Sequence, residues 1–259
     1  MVEIALCLGI VAIALVAIIG VMPTGLKVQK DNREDTIINQ DGTLWLEAIR
    51  GGARGLDYLT NYVDSITITN VTQSALDVTI YTNSPGLMVS GPPKIEGSMT
   101  NGSRIIGLLS RPKYLPVEAP QFTNHIVARV RAISGSAVEK DTNKVVREFA
   151  FAYQLKSEIV PLNVHPTEST NYRAAGLPPD EKLTRSNLWL LARNQAPNFH
   201  EVLLTLQGPV VPKGNKFDIL GTPRTFRTLV GGVPFIEGTG PTAKPLFFIQ
   251  PSVFTQVKP

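Results

Sequence analysis

The chain has 259 residues, 43% of them hydrophobic, and a formal net charge of +4. This length provides enough apolar surface for a domain with its own core, in one or two subdomains. The only cysteine, Cys7, lies in an apolar stretch near the N-terminus, which excludes a disulfide framework and a cysteine-rich zinc module from the rest of the chain.

Residues 4–22, IALCLGIVAIALVAIIGVM, form an uninterrupted apolar run. As a helix this run rises about 28 Å, close to the ~30 Å hydrocarbon thickness of a bilayer. A cleavable signal peptide would need a basic n-region and a small-residue cleavage site, but Glu3 precedes the run and Val21-Met22-Pro23-Thr24 offers no such site. A buried core helix is the other alternative. The unbroken length favours a retained membrane helix over both.

The N-terminal residues Val2-Glu3-Ile4-Ala5-Leu6 and the apolar helix after them resemble the N-terminus of type IV pilins and pseudopilins. In that family a prepilin peptidase cleaves after a glycine, the new N-terminus is methylated, and the glutamate pairs with the terminal amine of a neighbouring subunit. The resemblance implies that Glu3 sets the register of assembly. The basic leader, the glycine and the phenylalanine of the family are absent from this chain, so the cleavage site is expected upstream of Met1.

Four later segments resemble one pilin-like branch, the Verru_Chthon cassette protein B group. They are Pro23-Thr24-Gly25-Leu26, Phe151-Ala152-Tyr153, Ser157-Glu158-Ile159-Val160-Pro161 and Thr225-Phe226-Arg227-Thr228-Leu229-Val230. The family resemblance implies a single-pass protein of the inner membrane, with its head in the periplasm or outside the cell. The implied partners are membrane lipid, the prepilin peptidase, and copies of the chain or other pilin-like subunits.

After Pro23 the helical pattern resumes, with apolar residues at three-to-four spacing between charged ones: Ile37, Ile38, Leu44, Trp45 and Ile49. Gly42 weakens this pattern and Gly51-Gly52 ends it, and a further amphipathic turn carries Leu56, Leu59 and Val63. We therefore predict a long, interrupted helix from residue 3 to about residue 50. Its first half would lie in the membrane and its second half would pack on the head.

From residue 64 the apolar period shifts towards two, which predicts strands. These include 76–80, an antiparallel hairpin over 125–156 with a turn at 139–144, a strand at 200–206, and further strands within 217–230 and 246–257. The segments 83–103, 161–185 and 231–245 are rich in Pro, Gly, Ser, Thr and Asn and are predicted loops. The second of them is our candidate recognition loop.

The predicted fold class is therefore α+β, a pilin-like arrangement of a long N-terminal membrane-spanning helix and an antiparallel, β-rich head. We place a transmembrane helix at 1–23, an amphipathic continuation at 24–63 and the head at 64–259.

The residue types that usually carry chemistry form no motif. The three histidines, His125, His165 and His200, lack metal-ligand spacing, and no nucleophile elbow, phosphate loop or dinucleotide fingerprint occurs. Asp141-Thr142-Asn143 is better explained by a β-turn than by a calcium loop. We therefore predict no catalytic, cofactor-binding or metal-binding residues and no cofactor.

Two basic pairs, Arg129 with Arg131 and Arg224 with Arg227, are candidates for a nucleic-acid-binding surface. The basic residues are scattered without interleaved aromatic residues, which favours a solvated surface and makes nucleic acid an unlikely partner. The expected function is a non-enzymatic structural subunit of a type IV pilus-like or type II secretion-like filament. The alternative is a single-pass anchored β-domain that binds an envelope ligand or partner without polymerising.

Overall fold

A computed structural model describes residues 2–71, 76–82, 94–95, 99–114, 123–135, 150–162, 176–213, 216–238 and 245–254. A long N-terminal helix, α1 (Val2–Arg50), packs with its C-terminal part on a β-rich domain. The fold is α+β, as predicted.

Helix α1 runs without a break through Pro23 and Gly42, so the predicted interruption is wrong. A proline inside a helix removes one amide donor and crowds the carbonyl four residues earlier, here that of Ile19. Gly42 has a packing role instead, because the space where its Cβ would stand is filled by the ring of Phe226, 2.5 Å away.

The buried face of α1 begins where the helix meets the domain. Seven residues are buried at three-to-four spacing: Ile37, Ile38, Asp41, Gly42, Trp45, Ala48 and Ile49. This periodicity places them on one face of the helix. A 3₁₀ turn (Asp57–Asn61) then leads into the sheet and buries Leu59, one of the three residues predicted to lie on an amphipathic turn.

Seven strands form the main sheet, in the order β3-β2-β1-β4-β5-β6-β9. They are β1 (Val63–Val71), β2 (Leu76–Thr82), β3 (Lys94–Ile95), β4 (Thr123–Arg131), β5 (Ala152–Pro161), β6 (Phe199–Gln207) and β9 (Arg224–Gly231). All neighbouring pairs are antiparallel except β2 and β3. Two hairpins stand apart, one of β7 (Val210–Lys213) with β8 (Lys216–Ile219), the other of β10 (Val233–Glu237) with β11 (Leu246–Gln250).

Helix α2 (Gly102–Leu109) packs beside β11 and the 3₁₀ turn, and α3 (Pro179–Asn198) leads directly into β6. The core lies between one face of the sheet and α1, α2 and β11. It contains Trp45, Ile49, Ile105, Ile106, Tyr153, Leu155, Val202, Leu204, Leu206 and Phe248.

Most predicted strands are present. Strands β4 and β5 pair antiparallel with Arg131 opposite Ala152, and His200, Val202, Leu204 and Leu206 are all buried on β6. Strand β5 extends to Pro161, beyond the predicted end, while the predicted turn at 139–144 lies outside the described residues. Leu76 on β2 is 68% exposed, so the apolar face expected there is only partly buried.

The three predicted loops contain regular structure, and these predictions need correction. Residues 83–103 include β3 and the start of α2, where the Asn101 side chain accepts a hydrogen bond from the Arg104 amide over 2.8 Å. Helix α3 begins at Pro179 inside the segment 161–185, with Asp180 and Glu181 in its first turn, an arrangement that favours helix initiation. Strand β10 occupies 233–237 because it pairs with β11.

Candidate assembly surface of the N-terminal helix

The N-terminal part of α1 projects away from the domain. Every residue from Val2 to Arg33 is exposed, and no residue of the most apolar stretch is buried against the chain. Helix α1 is long and apolar enough to cross a membrane, which is consistent with single-pass anchoring. The exposed part is about 48 Å long at ~1.5 Å per residue, more than a hydrocarbon layer requires.

Glu3 lies in the first turn of this projecting helix and is exposed. The first lysine or arginine of the chain is Lys27, about 36 Å further along a continuous helix. The carboxylate therefore stands at the far end of an apolar surface, well separated from every described basic side chain of its own helix.

The C-terminal part of α1 is fixed to the sheet by a buried carboxylate. Asp41 is fully buried and accepts hydrogen bonds from the amides of Ile133 (2.8 Å) and Ser134 (2.9 Å). It also accepts from the Ser134 hydroxyl (2.5 Å) and the Tyr153 hydroxyl (2.9 Å). Four donors from two parts of the sheet domain thus converge on one helical side chain.

Trp45, one turn after Asp41, completes the network. Its indole N–H donates to the Tyr153 hydroxyl oxygen over 2.9 Å, while burial and the neighbouring Asp41 raise the pKa of Tyr153 well above its ordinary value. The tyrosine therefore remains protonated and donates to Asp41. Sequence patterns do not reveal this network, because the partners of Asp41 and Trp45 are more than 90 residues away. The available signal was an aspartate lying on the apolar stripe, between Ile37 and Trp45.

Two further contacts hold α1 along strand β9. The Arg224 guanidinium donates to Asp35 over 2.6 Å, and the Phe226 ring lies over Gly42. The basic pair Arg224 and Arg227 is divided between opposite faces of β9, since these residues are an odd number of positions apart. Arg227 forms an ion pair with Glu201 on β6.

Arg129 and Arg131 both pair with one carboxylate. The Nε atoms of these two side chains each lie 3.3 Å from an oxygen of Asp64. The Arg129 guanidinium also stacks 4.2 Å from the centre of the Phe217 ring, and burial lowers its pKa. These two guanidinium groups share one carboxylate and are mostly buried, so they do not form an exposed basic stripe.

The two described histidines lie on different strands, His125 on β4 and His200 on β6. His200 is buried, and this burial lowers its pKa. No group of three or more potential metal ligands occurs among the residues that the structure describes. His165 and Asp141-Thr142-Asn143 lie outside those residues.

Comparisons with protein-family models, with curated proteins and with solved structures return no match for this chain.

Proposed function

We propose that this protein is a structural subunit of a type IV pilus-like or type II secretion-like filament. Before assembly the apolar part of α1 anchors it in the inner membrane, and the head lies in the periplasm or outside the cell. In this proposal the protein carries no catalytic site.

One observation supports the proposal most strongly. Helix α1 begins with a carboxylate and an exposed apolar part, and the same helix continues without a break into a part that is docked on the sheet. The whole circumference of residues 2–22 is available to lipid or to other helices. Because the docked part is held by Asp41 and Arg224, movement of the projecting helix carries the head with it. Such a rigid unit suits a subunit that transfers from a bilayer into a helical core.

Glu3 provides the register in this proposal. An unpaired carboxylate at the edge of an apolar layer is costly, so pairing with the terminal amine of a neighbouring, processed subunit would favour one axial stagger. The apolar residues alone would allow helices to slide past one another, since they pack similarly at many offsets.

The test compares Glu3→Ala with Glu47→Ala in the full-length protein, expressed in its native host cells. Glu47 is a matched control because it is another acid of α1, exposed and paired with Arg50 near the opposite end of the helix. Carbonate extraction measures insertion, and crosslinking with recovery of sheared filaments measures assembly. We expect both variants to insert and only Glu3→Ala to lose assembly.

The mass of the N-terminal peptide from the native protein provides an independent test. A methylated residue two positions before Met1 would establish prepilin processing. An unprocessed Met1, or normal assembly of Glu3→Ala, would instead favour an anchored β-domain that binds an envelope ligand or partner without polymerising.

A further inference from the structure

The β7–β8 hairpin lies at the end of the sheet that is nearest the apolar part of α1. Strand β6 ends at Gln207, and its penultimate residue Leu206 is opposite Arg224, which pairs with Asp35 of the helix. Strand β9 then runs in the same direction as α1, since Phe226 lies over Gly42. The chain therefore leaves β6 and enters β7 at the level of Asp35, at the end of the sheet that faces the membrane-spanning residues 4–22 (the span).

One wall of the hairpin faces α1 across a groove of about 700 Å³. Residues 209–212 form this wall, and Leu26, Gln29, Lys30 and Arg33 are among the residues on the helix side. On the second strand of the hairpin, Phe217, which is paired with Pro212, stacks on Arg129 near the end of β4. The hairpin therefore extends across the end of the sheet, from α1 to β4.

The helical rise places this structure close to the bilayer surface. Leu26 is about 6 Å beyond Met22, the last residue of the apolar run, and Arg33 is about 16 Å beyond it. Each headgroup layer adds roughly 5–8 Å to the hydrocarbon core. When residues 4–22 span the membrane, the helix turns that face the hairpin begin inside the headgroup layer.

The exposed side chains here suit that environment. Val211 is 40% exposed and Leu220 is 50% exposed. The Lys30 and Lys213 side chains extend into solvent; Lys30 pairs with the largely covered Glu34 and Lys213 with the exposed Asp218. Lysine at a membrane interface places its aliphatic stem along apolar groups and its ammonium near phosphate. An exposed pair such as Lys213–Asp218 contributes little and can exchange partners.

We propose that the β7–β8 hairpin and the first turns of α1 after the span rest on the headgroups of the anchoring membrane, with a preference for anionic phospholipid. The inference rests on membrane anchoring and does not depend on filament assembly. A second contact with the lipid surface fixes the tilt of the head, so that every anchored copy presents the same face to its neighbours.

Site-specific fluorescent labelling tests this contact, because Cys7→Ser removes the only cysteine of the chain. Single cysteines replace Val211 or Leu220 on the hairpin, Val16 in the span, and Leu229, which is 59% exposed near the far end of β9. The full-length protein is reconstituted in phosphatidylcholine vesicles with and without phosphatidylglycerol. Quenchers attached to lipid headgroups or to acyl chains report the depth of each label.

We expect headgroup quenching at positions 211 and 220, acyl-chain quenching at 16, and neither at 229. If 211 and 220 behave like 229 while 16 is quenched, the hairpin contact is wrong and anchoring stands. If 16 is not quenched, the anchoring that both proposals require is wrong. If assembly fails while every label is quenched as expected, the filament proposal is wrong and the membrane contact stands.

Charge reversal tests the preference for anionic lipid. Lys30→Glu and Lys213→Glu should each weaken headgroup quenching at position 211 in vesicles that contain phosphatidylglycerol. We expect the equilibrium constant for contact between the hairpin and the lipid surface to fall about fivefold for each basic charge that is lost. Arg50→Glu is the control, since it reverses the charge of another exposed basic side chain of α1, at the end of the helix away from the span. Equal quenching in all variants would overturn the anionic preference.

Discussion

The hydroxyl of Tyr153 on strand β5 donates a hydrogen bond to Oδ2 of Asp41 on α1 over 2.9 Å. Both side chains are fully buried, and the same hydroxyl accepts from Trp45 one helical turn later. One phenol thus links two helix residues to strand β5 near its first residue. The orientation of α1 relative to the head depends on polar groups that water does not reach.

Replacing Tyr153 by Phe should therefore destabilise the head. The substitution leaves the Trp45 indole N–H without its acceptor and removes one donor from Asp41, and an unpaired buried polar group costs about 1–3 kcal/mol. Urea unfolding of the detergent-solubilised protein measures the change. Tyr58→Phe is the control, because Tyr58 is exposed and should change stability by less than about 0.5 kcal/mol. Equal effects of the two variants would contradict a structural role for the network.

Gly42→Ala should also destabilise the docked helix, although alanine favours helices. A methyl group at this position would lie 2.5 Å from the Phe226 ring, and overpacking of this kind costs about 1–3 kcal/mol. The gain in helix propensity is at most ~1 kcal/mol. We expect a net loss of about 1 kcal/mol in the free energy of unfolding.

Two variants check the cause of that loss. Gly25→Ala is the matched control, since nothing lies within 4 Å of the corresponding Cβ position, and it should be neutral or slightly stabilising. In a double-mutant cycle, Phe226→Leu should cost less in the Gly42→Ala background than in the native protein. Additive effects would show that the ring and the glycine are not coupled.

Local patterns were sufficient for the parts of the fold that local forces determine. The unbroken length of the apolar run predicts the first part of α1, and the alternation of apolar and polar residues predicts strands β4, β5 and β6. Helix α3 was missed because the Pro and Asp residues that suggested a loop are also the residues that begin a helix. Strand β10 depends on pairing with β11, and no local feature within 231–245 distinguishes that strand from a loop.

The candidate assembly surface of α1 also has a part that local sequence predicts and a part that it does not. The position of Glu3 before an apolar helix is visible in the sequence, whereas the docking of that helix by Asp41 requires partners from residues 133, 134 and 153. Contacts at such separations depend on the sheet order, which periodicity does not determine.

Asp64 supports a prediction about buried charge. It pairs with Arg129 and with Arg131, whose side chain is only 5% exposed. Asp64→Asn removes the countercharge of a desolvated guanidinium, which costs roughly 3–5 kcal/mol in comparable buried pairs. Asp218→Asn is the control, since its pair with Lys213 is exposed and should contribute less than about 1 kcal/mol. Urea unfolding of both variants should separate them clearly; similar losses would mean that the Asp64 pairs contribute no more than surface ion pairs do.

His200 should make stability depend on pH. Burial lowers its pKa in the folded protein, so the unfolded chain, with an ordinary pKa of about 6.5, binds a proton first as the pH falls. Its contribution is therefore complete above about pH 6.5, decreases as the pH falls below that value, and becomes constant below the folded pKa. His200→Leu cannot titrate and should flatten this part of the profile. Unfolding free energies measured between about pH 8 and about pH 5 test this. An unchanged slope in His200→Leu would assign the dependence to other groups.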